Sequence, residues 1–199
     1  LGISFLMITG NLDFSTGAVY AFAGTFTAVM HAMGLNIYIA MMLSLMISII
    51  IFSLSCWISI TFNINRIVVS MAMNMTILGL GTIIAGNKTV YGLPESIKWL
   101  GQGYIGPVPI SAIIFIGIAL VVAFILNKTY FGRYLFAVGG SDTVARLSGI
   151  NVNKIKYLSS IIAGLLVGIA GLVSMSRTFS GSPYAGGTLS LDVISAAVL

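Results

Sequence analysis

The chain has 199 residues, of which 58% are hydrophobic and only 7% charged, and its mean hydropathy is +1.11. A soluble domain carries about 25% charged residues, so nine Lys/Arg and four Asp/Glu cannot clothe a water-facing surface, and lipid is the solvent this composition fits. The basic balance, with a pI near 9.5, fits the cytoplasmic Lys/Arg bias of membrane proteins rather than nucleic acid, because no basic stripe interleaved with aromatics is visible.

Apolar segments run over the whole length, which excludes a signal peptide or a surface amphipathic helix as their explanation. A single cysteine, Cys56, excludes an internal disulfide. With one histidine, His31, and scattered acids, no zinc site can be assembled.

A spanning helix needs about 20 mostly apolar residues. In chain order the candidates are Phe14 to Met33, Asn36 to Phe62, Arg66 to Ala85, Ile110 to Asn127 and Tyr157 to Met175. Polar residues, Gly or Pro bound each run. Irregular backbone cannot face lipid, so these runs are expected to be helices, and the alternation of a transmembrane barrel is absent. The expected fold is an all-α integral membrane bundle, a single transmembrane domain over 1–199. Leu1 to Thr9 and Ser190 to Leu199 are apolar runs that read as cut, so the chain is expected to be a fragment of a larger protein.

The first run poses a problem. A continuous helix from Leu1 to Met33 would be about 50 Å long at 1.5 Å per residue, beyond the hydrocarbon core. Asp13 would then lie at a depth where a carboxylate costs roughly 2.5–3.5 kcal/mol. A break at Gly10–Asp13 resolves both difficulties, with Asp13 or Ser15 capping the new helix. Broken helices of this kind line cavities in transporters; an ordinary interfacial N-cap is the alternative. Ser15, Thr16 and Gly17 belong to the same candidate element.

Between Gly86 and Pro109 lies a segment too long for a simple turn. Its Tyr91, Trp99 and Tyr104 suit the membrane–water interface, as an anchor belt or as a surface that meets a partner. Gly101, Gly103 and Gly106 match G-x-G-x-x-G literally, but Pro107 and Pro109 deny it the helix a dinucleotide fingerprint needs, leaving a turn-rich loop. Gly81, Gly86, Lys88 and Thr89 resemble a P-loop spoiled by the extra Asn87, so no means of hydrolysing ATP is visible.

The segment 128–156 holds Lys128, Arg133, Arg146, Lys154 and Lys156 against Asp142 alone, which marks it as cytoplasmic. Alternation then puts Arg66 inside and 86–109 outside, with Arg177 a mild exception. Gly139 and Gly140 are expected to break the chain, with Ser141 or Asp142 capping a short helix that Gly149 ends. By itself this is either a rigid knob for a partner or a plain connecting loop. In the last long run, Gly164 and Gly168 form G-x-x-x-G, followed by Gly171, a pattern for close helix packing, intramolecular rather than a dimer seam.

These elements together resemble the permease subunits of ATP-binding-cassette importers for sugars, the ribose-type branch of the inner-membrane translocator family. Leu12 to Val19 is similar to that branch's "IDLSVGSV" element. Arg133 to Lys156, with Ala145-Arg146-Leu147-Ser148-Gly149-Ile150-Asn151-Val152, is similar to its "GRY…AARLSGINV" loop. Ser180 to Gly187 and Leu191 to Val198 resemble its "P..G.GYELDAIAAVV" stretch. Thr143 and Val144 depart from the usual Glu-Ala, and Phe14 and Thr16 from the usual Leu and Val. Branched-chain amino acid permeases are related but carry a different element at the Asp13 position.

The resemblance implies a multi-pass protein of the inner (cytoplasmic) membrane that moves a monosaccharide inward by alternating access. It implies no cofactor in this chain, with ATP-Mg and its hydrolysis in a separate ATPase subunit. The other implied partners are a second permease subunit and an extracytoplasmic sugar-binding protein, within the membrane lipid. The coupling helix would be 141–149, with Ser141, Asp142, Ala145, Arg146 and Gly149 at the docking positions. Asp13 and Asp192 are expected at helix ends beside the path rather than on the substrate. A nucleoside or other small polar solute is the variant within the family. A stand-alone secondary transporter is the rival outside it, disfavoured because the acids are isolated rather than in a relay. A membrane enzyme is disfavoured by the want of any His/Asp/Glu/Cys cluster.

Overall fold

The computed structural model describes residues 1–198, the side chain of Val198 excepted; Leu199, the end of the last apolar run, lies outside the described residues. Ten helices and one minimal hairpin follow in chain order. They are α1 (Gly2–Ile8), α2 (Thr16–Ala32), α3 (Ile37–Thr61), α4 (Arg66–Ile84), α5 (Lys98–Gln102), α6 (Ile110–Lys128), α7 (Tyr130–Gly140), α8 (Asp142–Leu147), α9 (Val152–Thr178) and α10 (Leu189–Val198). The hairpin pairs β1 (Tyr104–Ile105) with β2 (Val108–Pro109). Four helices, α3, α4, α6 and α9, are long and apolar enough to cross a membrane. The expected run from Phe14 to Met33 is the shorter α2, whose side chains are mostly buried inside the bundle.

Asparagines start three of the long helices. Asn36, Asn65 and Asn151 each turn a side-chain oxygen to a free backbone N–H of the first turn, Tyr38, Ile67 and Lys154 respectively, at 2.9–3.0 Å, satisfying donors that have no intrahelical partner. This places the start of α9 at Val152, earlier than the apolar run at Tyr157, because Lys154 and Lys156 ride on the first turns of the helix.

At about 40 Å for its 27 residues, α9 is the axis of the bundle. It packs on α1, α2, α3 and α5 along one side or another. Close approach is possible because its contact stripe is glycine. Added carbon at Gly164 would meet the Ser48 carbonyl oxygen at 2.8 Å and the Ile49 Cα at 3.0 Å. At Gly168 it would meet Ser48, and at Gly171 the backbone of Tyr20. The seam is therefore intramolecular, joining α9 to α3 and α2. Hydroxyls buried along it, Ser48, Ser159 and Ser160, donate to carbonyls one turn back on their own helices at 2.8–2.9 Å.

One end of the bundle carries the basic residues of 128–156 and is called the basic face; the opposite end is the far face. The far face holds the segment between α4 and α6. There α5 lies across the end of α9: the Ser176 hydroxyl donates to Ile97 O at 2.5 Å and accepts the Gly101 N–H at 2.8 Å. Gly101, expected in a loop, is helical and abuts the Arg177 backbone. The hairpin turns at Gly106, whose φ of +61° suits glycine. Tyr91, Trp99 and Tyr104 are all exposed.

At the basic face the segment 128–156 is more ordered than a loop. Helix α7 runs through Gly140, so Gly139 does not break the chain. It is a contact position, where any Cβ would collide with the Ile8 carbonyl oxygen of α1. The break comes at Ser141, whose extended backbone (φ −164°) separates α7 from α8.

The seam predicts a contrast between two glycines. Gly164→Ala should lower stability by about 1–3 kcal/mol through overpacking. Gly117→Ala on α6, where a Cβ meets nothing within 4 Å, should gain up to ~1 kcal/mol of helix propensity. Thermal denaturation of both variants in detergent checks the difference.

Candidate functional site

Helix α1 ends one turn before the Asp13 element. Gly10, at φ +72°, makes the left-handed stop; its N–H bonds Met7 O and the Asn11 N–H bonds Leu6 O, both at 2.9 Å, the pattern that closes helix C-termini at glycine. The chain then crosses to α2 with no regular structure. Irregular backbone at membrane depth is tolerated only where protein supplies partners for its polar groups, and several are supplied here. The Phe14 N–H donates to Ser70 Oγ of α4 at 3.1 Å, and the Gly17 N–H to Ser190 Oγ of α10 at 2.8 Å. Ser190 Oγ in turn donates to Phe14 O at 2.9 Å.

Asp13 is fully buried. Its Oδ1 accepts from the Ser15 N–H at 2.9 Å and the Ser15 hydroxyl at 2.5 Å, closing a local Asx turn. Its Oδ2 accepts from Arg66 Nε at 3.3 Å and Nη2 at 3.1 Å. Arg66 is itself 5% exposed and opens α4. The expectation that Asp13 or Ser15 caps α2 is therefore corrected: Ser15 holds the N-cap position, but its hydroxyl is spent on Asp13. The carboxylate is neutralised by an arginine 53 residues away. Arg66 had only an orientational meaning in the sequence, and nothing in the spacing pairs it with Asp13.

A second irregular segment meets the first. After α9 the chain runs back along α2: Gly181 lies against Gly24, Thr25 and Ala28, and Gly186 against Gly17. That is a descent of about 16 Å at the helical rise. Both glycines sit where a side chain would strike helix backbone. The descent delivers Ser190 to the head of α2. Asp192, expected beside the path, stands exposed in the first turn of α10, and the junction residue from that helix is Ser190 instead.

Thr16 is buried at the junction, its hydroxyl 3.3 Å from Asp13 O, and it also lines a lateral apolar crevice of about 380 Å³ between α1, α2, α6, α9 and α10. On the basic side of the ion pair, Asn11 and Arg66 line a polar cleft of about 360 Å³ together with Asp142, Arg146, Asn153 and Lys156. The cleft thus brings the helix break and α8 to one place.

Helix α8 starts as expected, with Ser141 Oγ accepting the Val144 N–H at 3.4 Å, and it stops at Gly149, whose φ is +80°. It is fastened to α9 by an ion pair of Asp142 with Lys156 and by a hydrogen bond from Arg146 Nη2 to Asn153 Oδ1 at 3.0 Å. Ala145 is buried in a cluster with Phe5, Leu135, Val138 and Val152. Val144 and Leu147 project outward, 61% and 85% exposed. Lys156 and Asn153 were missing from the sequence-derived site, since a basic residue near a helix start signals orientation before it signals a partner.

This arrangement holds helices in register and presents a short helix to solvent; among the described residues no three His, Cys, Asp or Glu side chains cluster. The chain belongs to the family described as the branched-chain amino acid transport system / permease component, which it matches over residues 1–199. Among curated relatives, it is 30% identical to the ribose import permease protein RbsC of Haemophilus influenzae over 203 residues, covering 100% of this chain and 63% of that protein. It is 30% identical to RbsC of Bacillus subtilis, covering 100% and 62%, and 32% identical to the L-arabinose transport system permease protein AraH of Escherichia coli, covering 100% and 60%. The chain thus spans a little over six tenths of their length or about that. No solved structure matches it significantly. It is a multi-pass membrane protein of the permease class.

The ion pair predicts an asymmetric response. Arg66→Met strands a buried carboxylate and should cost about 3–5 kcal/mol. Adding Asp13→Asn, which keeps the acceptor for Ser15 but removes the charge, should recover a substantial part. Denaturation midpoints of the single and double variants test this; a double variant no more stable than Arg66→Met would argue against a charge-pair role.

Proposed function

We propose that the protein is the membrane-spanning permease of an ATP-driven importer that carries a monosaccharide across the cytoplasmic membrane, the basic face lying inside. The observation that carries this reading is the match of the whole of this chain to about six tenths of ribose and arabinose permeases. It is supported by a capped, solvent-facing α8 at the motif positions Ser141, Asp142, Ala145, Arg146 and Gly149.

In this reading α8 docks on a cytoplasmic ATPase subunit through Val144 and Leu147. Its ties to α9 pass ATPase movement into the axis of the bundle, and ATP-Mg is bound and hydrolysed in the partner. A second permease subunit completes the pathway, and an extracytoplasmic binding protein delivers the sugar at the far face, where α5 sits on the end of α9 and the hairpin leads into α6. Nucleotide state and binding protein shift the inward and outward forms only through their differential affinity for them. Asp13, Ser15, Thr16 and Gly17 hold a fixed hinge point beside the path, the carboxylate being occupied by Arg66 and so closed to substrate. A neutral sugar asks for no free charge there.

Uptake of labelled ribose and arabinose by proteoliposomes containing the permease, its ATPase and its binding protein is the test. ATP-dependent accumulation is expected, with no competition from nucleosides; competition by nucleosides alone would reassign the substrate. Gly149→Leu forces a side chain into a left-handed position that costs about 1–3 kcal/mol and displaces the end of α8. It should cut uptake at least tenfold while the spans remain folded by circular dichroism, and undiminished uptake would remove α8 from the coupling role.

A further inference from the structure

The polar cleft at the basic face continues into a second hollow. Ile60 and Asn153 line both: the cleft of about 360 Å³ is walled by amides and charges, and the neighbouring groove of about 470 Å³ by Trp57, Tyr157, Leu158 and Lys154. The two hollows therefore adjoin across Ile60 and Asn153, between the end of α3 and the start of α9, one polar and the other apolar; together they are called the channel.

Its charge does not balance. Arg66 is matched by Asp13, and Lys156 by Asp142. Among the described residues Arg146 and Lys154 have no acidic partner; Arg146 turns back to Asn153 at 3.0 Å rather than outward, and Lys154 is exposed at the rim. Each hollow thus carries one uncompensated cation, Arg146 in the polar cleft and Lys154 in the apolar groove, and the groove also holds a half-exposed tryptophan, Trp57 being 47% exposed. Basic pockets between spanning helices bind anionic headgroups, and Trp and Tyr settle at headgroup level.

We propose that this channel is a binding site for one anionic phospholipid, its phosphate between Arg146 and Lys154 and an acyl chain along Trp57, Ile60 and Leu158. A lipid so placed spans the gap between the α3–α4 turn and the α8–α9 unit, and ties the position of α8 to the composition of the surrounding leaflet. The proposal does not depend on which solute is carried.

Trp57 reports on it directly, because Trp99, at the far face, is the only other tryptophan. The intact protein carrying Trp99→Phe is placed in phosphatidylcholine nanodiscs and titrated with acyl-brominated phosphatidylglycerol or acyl-brominated phosphatidylcholine. Half-maximal quenching of Trp57 is expected at roughly 30-fold lower mole fraction of the anionic lipid, the scale set by two juxtamembrane cations. Arg146→Gln with Lys154→Gln should erase that preference; should the pair fail to fold, the exposed single change Lys154→Glu should erase it too. Equal quenching by both lipids, or a preference that survives these substitutions, overturns the site. Loss of the preference to inorganic phosphate but not to chloride at equal ionic strength would make the cleft a site for a free anion, and overturn the lipid assignment.

Discussion

A polypeptide that leaves the helix inside a low-dielectric bundle needs partners for the N–H, C=O and charge it frees, and the turn between α1 and α2 is where distant elements supply them to this chain. The solution draws on two distant elements and on the turn itself. Ser70 and Arg66 come from α4, Ser190 from α10, and Asp13 and Ser15 from the turn itself. A buried ion pair adds little net stability beside an apolar replacement. What these bonds do is admit one arrangement, so the head of α2, the start of α4 and the start of α10 cannot be moved independently. The glycines at 17 and 186 follow from that arrangement, since two backbones must touch there.

Around this fixed point, α9 joins the two faces. At its basic end the Asp142–Lys156 pair and the Arg146–Asn153 bond hold α8 against its first turns. At its far end Ser176 bonds both to Ile97 and to Gly101 of the segment between α4 and α6. Between them, the glycine stripe keeps α9 within backbone contact of α3 and α2. A helix so seated joins the two faces of the bundle through one continuous element. The lightly held element is α6, whose only buried side chain among the described residues is Val122, which leaves its remaining surface to lipid or to neighbours.

Several local features were legible because they are written in neighbouring residues. The helix break follows from length against bilayer thickness, the start of α8 from Ser141, and its end from Gly149. The close seam follows from Gly164, Gly168 and Gly171. Errors arose where local chemistry has two meanings. Gly139 was read as a breaker, yet it is a contact with Ile8; Gly101 was read as loop, yet it is a helical residue beneath Arg177. A glycine near a suspected boundary permits a turn and permits close approach equally, and only the neighbour decides which.

The sequence by itself determined the solvent, the helical class, the main spans, the break near Asp13, the short helix after Ser141 and the family. All of these depend on composition, on apolar run length or on residues adjacent in the chain. Tertiary structure alone decided that Asp13 is paired with Arg66, that Ser190 rather than Asp192 joins the junction, and that Lys156 clamps α8. Those contacts close over 53, 173 and 14 residues. A charge or hydroxyl at such separation carries no periodic signal; its partner is set by which helix faces pack together.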